Sequence, residues 1–329
     1  MTNLRSSGEH RPRVLVALGG NALLRRGEPL EADAQAHAAR TAAHLLAPVA
    51  SANRLVVTHG NGPQVGLLAL MGDAYTETRP YPLDVLGSET EGQIGYVLAL
   101  ELGNAVSAQE TVAVLTRVVV NVGDPAFAAP SKFIGPVYAE TEARTLAERH
   151  GWTVKRDGHA WRRVVASPRP RRIIEVDAIE RLLEAGFLVI CTGGGGIPIT
   201  EDRRGHHHGV EAVVDKDLAS ALLAVDLHVD TLVLATDVDA VYSDYGTSSQ
   251  RPIAHATPAG LRSLQFTPGS MEPKVEAVCG FVERTGGRAV IGSLNQIDRL
   301  LSGRAGTQVL PHGAELQHGK RKACHDRAA

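Results

Sequence analysis

Residues 189–220 read VICTGGGGIPITEDRRGHHHGVEAVVDKDLAS, and the rest of the chain is read outward from them. The apolar run Phe187–Cys191 has strand character and leads straight into Gly193-Gly194-Gly195-Gly196. Glycine reaches φ > 0 without strain and carries no Cβ, so a ligand can come close to the peptide N–H groups of such a turn. Further on, Val213-Val214-Asp215-Lys216-Asp217-Leu218-Ala219-Ser220 reads as a helix opening, with one cation between two carboxylates. A strand, a bare turn and a lysine entering a helix suit an anion with several oxygens, most simply a phosphoryl group. The plain alternative is a glycine-rich connection followed by a solvated charge triplet. The scarcity of lysine favours the first reading. Only Lys132, Lys155, Lys216, Lys274, Lys320 and Lys322 are lysines among 34 basic residues. A chain that otherwise uses arginine keeps lysine where a compact point charge is needed.

Bulk properties narrow the class. A chain of 329 residues suggests about two domains. Hydrophobic residues at 43% and charged residues at 21% describe a soluble protein with ample core. A net charge of -2 argues against a nucleic-acid partner held by bulk electrostatics. The apolar run Val14–Leu18 is too short for a leader's hydrophobic region or a membrane span. Cys191, Cys279 and Cys324 are widely spaced with no CxxC, which fits a reducing cytoplasm and gives neither a zinc site nor a disulfide framework.

Along the chain, short β runs alternate with helical stretches. Arg13–Leu18 runs into Gly19-Gly20-Asn21, either an oxyanion-binding turn or a tight structural one. Residues 31–50 read as a helix. Leu55–Thr58 leads into His59-Gly60-Asn61-Gly62-Pro63-Gln64-Val65-Gly66. This nearly imitates a dinucleotide fingerprint, but the spacing is GxGxxxG, Pro63 interrupts it, and no acidic residue closes a following strand. A P-loop is absent as well. Residues 86–104 read as a helix and Val112–Val120 as a third strand.

Residues 123–170, rich in Pro and Gly, read as an excursion from the main sheet, with Gly158-His159 as a hairpin turn. Lys132 reaches the site only if that excursion folds back. His206-His207-His208 point in different directions on any regular element, so they read as a mobile loop and not as a shared metal site. Thr231–Ala235 ends in Asp237 and Asp239, carboxylates that suit Mg²⁺, a ribose or simply a turn. Lys274 falls in the first turn of a helix, where the dipole prefers anions, so a bound anion explains it better than helix stability does. The pattern is α/β with a mostly parallel sheet, and ligands in such sheets sit at the strands' carboxyl ends. Residues 313–329 carry no periodicity and are expected to be disordered.

Nine segments in order, taken together, resemble the carbamate kinases of the amino acid kinase superfamily: ALGGNAL (17–23), THGNGPQVG (58–66), GQIGY (92–96), SKFIGP (131–136), RRVVASP (162–168), TGGGGIPI (192–199), GVEAVVDKDLAS (209–220), TDVDAVY (236–242) and PGSMEPKVEA (268–277). The resemblance implies a three-layer αβα sandwich in two lobes with a small protruding subdomain. Residues 11–222 would hold carbamate or carbamoyl phosphate and residues 223–312 the nucleotide. It implies reversible phosphoryl transfer between ATP and carbamate with Mg²⁺, in a cytoplasmic homodimer serving arginine metabolism. Lys132, Lys216 and Lys274 would then contact phosphate, with Asp217 arranging them. Gly19, Gly20, Asn21, Gly60, Asn61, Gly62, Gly194 and Gly195 would surround the transferred group. Asp237, Asp239, Tyr242, Met271 and Lys274 would face the nucleotide, and no protein group would hold a metal on its own. The sequence departs from the family at Phe133, where proline is usual, at Glu272, where glycine is usual, and at Glu89 and Glu91, which replace amides. A kinase acting on another small carboxylate, or a non-catalytic nucleotide or carbamoyl phosphate binder, are the alternatives.

Overall fold

The computed structural model describes residues 11–20, 23, 28–75, 77–266 and 271–319. The first half of the chain forms β1 (Arg13–Leu18), α1 (Ala32–Ala52), β2 (Arg54–His59), α2 (Gly62–Ala74), α3 (Leu83–Ala105), β3 (Thr111–Val114) and β4 (Arg117–Val120). The excursion follows, with β5 (Lys132–Tyr138), α4 (Glu140–His150), β6 (Thr153–Asp157) and β7 (Ala160–Val165). Next come β8 (Pro170–Ile173), α5 (Val176–Glu184), β9 (Leu188–Cys191), β10 (Ile197–Glu201), β11 (His207–Gly209) and α6 (Lys216–Asp226). The chain closes with β12 (Thr231–Thr236), β13 (Tyr242–Ser243), β14 (Arg251–Ala256), α7 (Pro258–Arg262), α8 (Glu272–Thr285), β15 (Arg288–Ser293), α9 (Ile297–Leu301), β16 (Thr307–Val309) and β17 (Leu316–His318).

The central sheet runs β13-β14-β16-β15-β12-β1-β2-β9-β3, with β17 paired to β14. Its middle, from β15 to β3, is parallel throughout. Parallel strands need crossovers, and the helices that cross cover both faces, so these strands read as unbroken apolar runs. Period-two alternation then sorts each strand. Leu15 and Ala17 of β1 join the core beneath α5, α6 and α8, with Ile179, Leu223 and Phe281. Val14, Val16 and Leu18 join the opposite core beneath α1, α3 and α9, with Leu46, Leu98 and Leu300. Three layers result, as the family resemblance implies.

Strand order reverses at β1. From there β2 and β9 lie to one side, while the chain returns through α6 to place β12 on the other. Such a reversal leaves a crevice at the carboxyl ends of the strands, and α6 begins beside it. The excursion forms its own three-stranded sheet, β5-β7-β6, with α4 against it. It packs on α2: Val65 and Ala69 share a small core with Ile134 and Val165.

Three expectations are corrected. Val112–Val120 is two strands in two sheets, because the chain turns at Leu115-Thr116 and β4 joins β10 and β8 instead. The three histidines are not all in a loop: His206 lies in the turn between β10 and β11, but His207 and His208 belong to β11, which pairs antiparallel with β10. Within the segment expected to be disordered, Leu316 to His318 pair with β14 and cover its edge; residues 320–329 lie outside the described residues.

Candidate active site

The site grows from the ends of four adjacent strands. Register places Leu18 level with both His59 and Ala235, so Gly19, Gly60 and Thr236 lie at one height. The Gly19 N–H donates to the Ala235 carbonyl at 3.0 Å and the Gly60 N–H to the Leu18 carbonyl at 3.1 Å. A Cβ on Gly60 would stand 3.5 Å from the Gly20 nitrogen and 3.8 Å from the Lys216 Cδ, so the two turns and Lys216 meet. Gly62 opens α2 with Pro63 in its first turn, where a missing N–H costs nothing. Asn21 lies outside the described residues.

Lys216 is the first residue of α6, and its position is fixed twice. The Asp215 side chain caps the helix, with Oδ1 accepting the N–H groups of Asp217 at 2.9 Å and Leu218 at 3.3 Å. One turn on, the Ser220 hydroxyl hydrogen-bonds the Lys216 carbonyl at 2.7 Å and meets the Thr58 hydroxyl of β2 at 2.7 Å. The three scarce lysines converge there. The Lys216 Nζ lies 2.8 Å from Asp217 Oδ1, and the Lys274 Nζ, from α8, donates to Asp217 Oδ2 at 3.0 Å. The Lys132 Nζ, from the start of β5, donates to Asp215 Oδ2 at 2.6 Å.

Electrostatics follow from burial and pairing. Burial alone would raise the Asp217 carboxyl, but Lys216 and Lys274 overcome it and hold the group ionised, well below its ordinary range. Burial pulls Lys274 down, yet Asp217 outweighs it and holds the amine above its ordinary value. Asp237 adds to the same field. Among the described residues, the three lysines pair directly with Asp215 and Asp217, Asp237 acts on Lys274 as well, and the Lys216 Nζ is buried with no aligned acceptor. An anionic oxygen would supply that missing acceptor.

The tetraglycine turn also has a packing role that its sequence does not announce. Gly194, Gly195 and Gly196 all have positive φ, at 67°, 98° and 83°. Side chains there would strike protein: Asn61 fills the space at Gly194, the Val214 carbonyl that at Gly195 and Val118 that at Gly196. The missing Cβ atoms let this turn pack against the ends of β2 and α6.

Asn61 and several residues with no role assigned from sequence hold that turn. Glu91, buried on α3, accepts the Gly193 N–H at 2.8 Å and the Thr116 N–H at 3.2 Å. Burial pushes its carboxyl up to about 8 against the pull of those donors. The Thr116 hydroxyl takes the N–H of Thr192, a β-branched residue held at φ 54°. His59 is packed against Gly193, and burial pushes its imidazole down to about 4. Asn61 donates to the Thr90 hydroxyl at 2.9 Å. Asp215 was readable, since an Asp just before a helix opening is a cap signature. Glu91 stands out in the sequence only as an acid in place of an amide.

Of the nucleotide candidates, Asp237 accepts from the Thr236 hydroxyl at 3.1 Å, and Asp239 from the Tyr242 hydroxyl at 2.8 Å. Burial and Asp239 push the Tyr242 phenol up to about 12. Met271 precedes α8 and packs on its core. Glu272 is that helix's first residue, where an acid complements the dipole. Phe133 carries the Arg162 guanidinium over its ring at 5.6 Å. Among the described residues, no group of three or more His, Cys, Asp or Glu side chains is arranged to hold a metal.

Comparison with known proteins fits this arrangement. Residues 12–293 match the model of the amino acid kinase family, and the chain belongs to that family. Within it, the kinship is with the carbamate kinases. The carbamate kinase of Rhizobium meliloti is 52% identical over 298 residues, covering 90% of this chain and 92% of the relative. That of Haemophilus influenzae is 51% identical, covering 90% and 96%. The solved carbamate kinase of Giardia lamblia bound to AMP-PNP superposes with a TM-score of 0.84 at 36% identity, covering 92% of this chain and 99% of its own.

Proposed function

We propose that this chain moves a phosphoryl group reversibly between ATP and carbamate, giving ADP and carbamoyl phosphate. The observation that carries the reading is the meeting of Lys132, Lys216 and Lys274 over Asp215 and Asp217. Carbamate is already an anion, so it needs no general base. Its oxygen forms a bond to the γ-phosphorus while the bond from that phosphorus to the β–γ bridging oxygen breaks; no proton moves. The obstacle is bringing anions together, and positioned cations remove it. Lys216 and Lys274 would hold the transferred group from the core, and Lys132 from the excursion. Asp217 sets the distance between two amines and does not act as a base.

In this reading Gly19, Gly20, Asn21, Gly60, Asn61, Gly62, Gly194 and Gly195 surround the transferred group within residues 11–222. Support comes from the approach of the Gly20 and Gly60 turns to Lys216. Asp237, Asp239, Tyr242, Met271 and Lys274 take the nucleotide within residues 223–312; the AMP-PNP held by the Giardia enzyme supports a nucleotide site. The donor chemistry fits a magnesium ion that arrives on the phosphates, with Asp237 and Asp239 the carboxylates that would hold it. When bound, such an ion neutralises part of the phosphate charge.

A homodimer is supported by exposed apolar side chains: Leu67, Met71 and Tyr75 at four-residue spacing along and just beyond α2, and Tyr96 and Leu100 on α3. Among the described residues no helix is long and apolar enough to cross a membrane, and we place the protein in the cytoplasm, making ATP in arginine breakdown, on kinship alone. The decisive test mixes purified protein with carbamoyl phosphate, ADP and Mg²⁺ and measures ATP. ATP should form and should cease when a chelator removes the metal; no ATP with the metal present rejects the reading.

A further inference from the structure

Asp215 carries a charge that its helix cap does not require. Asn caps a helix about as well as Asp. Yet here a carboxylate is buried to 8% exposure, and only one of its oxygens serves the cap. The other takes the Lys132 Nζ at 2.6 Å, across 83 residues of chain. Burying a carboxylate is unfavourable unless donors surround it, and two N–H groups with an ammonium supply them. Lys132 opens β5, so this contact ties the excursion to the helix that carries Lys216 and Asp217.

We propose that Asp215 is a positioning residue, docking the excursion through Lys132 and so placing that amine beside the other two. This rests on the reading that Lys132 meets the transferred phosphoryl group. The proposal explains an otherwise surplus charge, and it makes Lys132 and Asp215 one device with two ends.

The test compares the full-length protein with Asp215→Asn, Lys132→Met and the double variant. ATP formation, melting temperature and proteolytic cleavage within residues 123–170 are measured. Asp215→Asn keeps the cap, so its melting temperature should hold and the KM for ADP should stay at the wild-type value. Its kcat should fall about tenfold or more, the order expected for one charged hydrogen bond. The double variant should be no slower than Lys132→Met alone, and both single variants should be cleaved faster in the excursion. A wild-type kcat for Asp215→Asn, or losses that multiply in the double variant, overturns the proposal. Lys132→Met leaves the cap untouched, so wild-type cleavage of its excursion overturns docking even if Asp215→Asn folds poorly. A wild-type kcat for Lys132→Met would instead remove the phosphate role of Lys132, and the proposal with it.

Discussion

Lys216 and Asp217 are neighbours in the chain with opposite tasks, and substitution separates them. Removing one charge-stabilising group raises a barrier by roughly 3–4 kcal/mol. Lys216→Ala should therefore lower turnover on the order of 100-fold or more, with circular dichroism unchanged. Asp217→Asn should also slow the reaction, because two buried amines would lose the carboxylate that spaces them; an unchanged rate would remove its organising role.

Two other buried groups make stability depend on pH in opposite senses. The Glu91 carboxyl is raised from 4.5 to about 8 in the fold, so its contribution is complete at low pH and lost as pH rises across that window. The His59 imidazole is lowered from 6.5 to about 4, so stability is lost as pH falls across that interval. Thermal unfolding followed across pH should show a decline between about pH 4.5 and about pH 8 that is shallower in Glu91→Gln than in wild type. Equal slopes would mean that Glu91 is not the titrating group.

Among the elements, α2 and β5 meet backbone to backbone. A Cβ on Gly66 would overlap the backbone of Gly135, itself at φ 70°. Backbone cannot yield as a side-chain tip can, so Gly66→Ala should lift the excursion from α2. We expect the variant to lose activity with Lys132 while the central sheet keeps its protected amides in hydrogen exchange; unaltered activity would show that the gap can open cheaply. The elements also differ in how plainly the sequence announces them. The parallel strands were legible because burial on both faces makes them unbroken apolar runs, and the lysines because the chain uses so few. The break at Leu115-Thr116 was not, since Val112–Val120 is apolar on either side of a turn fixed by Glu91, a distant partner. The pairing of β11 with β10 and of β17 with β14 likewise depends on edges that only the folded sheets create. The tetraglycine turn was legible as a turn at a strand end, but its packing against Asn61, Val118 and Val214 was not, because those neighbours are distant in the chain.

For the molecule as a whole, the apolar stripe on α2 and α3 predicts association. Tyr96→Asp combined with Leu100→Asp should halve the mass seen by analytical ultracentrifugation; an unchanged mass would place the contact elsewhere. The assembly of the charge cluster has a separate consequence. Lys132 finds its carboxylate 83 residues further on, and Asp217 gains its second amine only from α8, 57 residues beyond itself. While the ribosome is still making the protein, a nascent chain released before α8 carries Asp217 with a single ammonium beside it. Products terminated before Lys274 should therefore be inactive, because the cluster is complete only once α8 has been made.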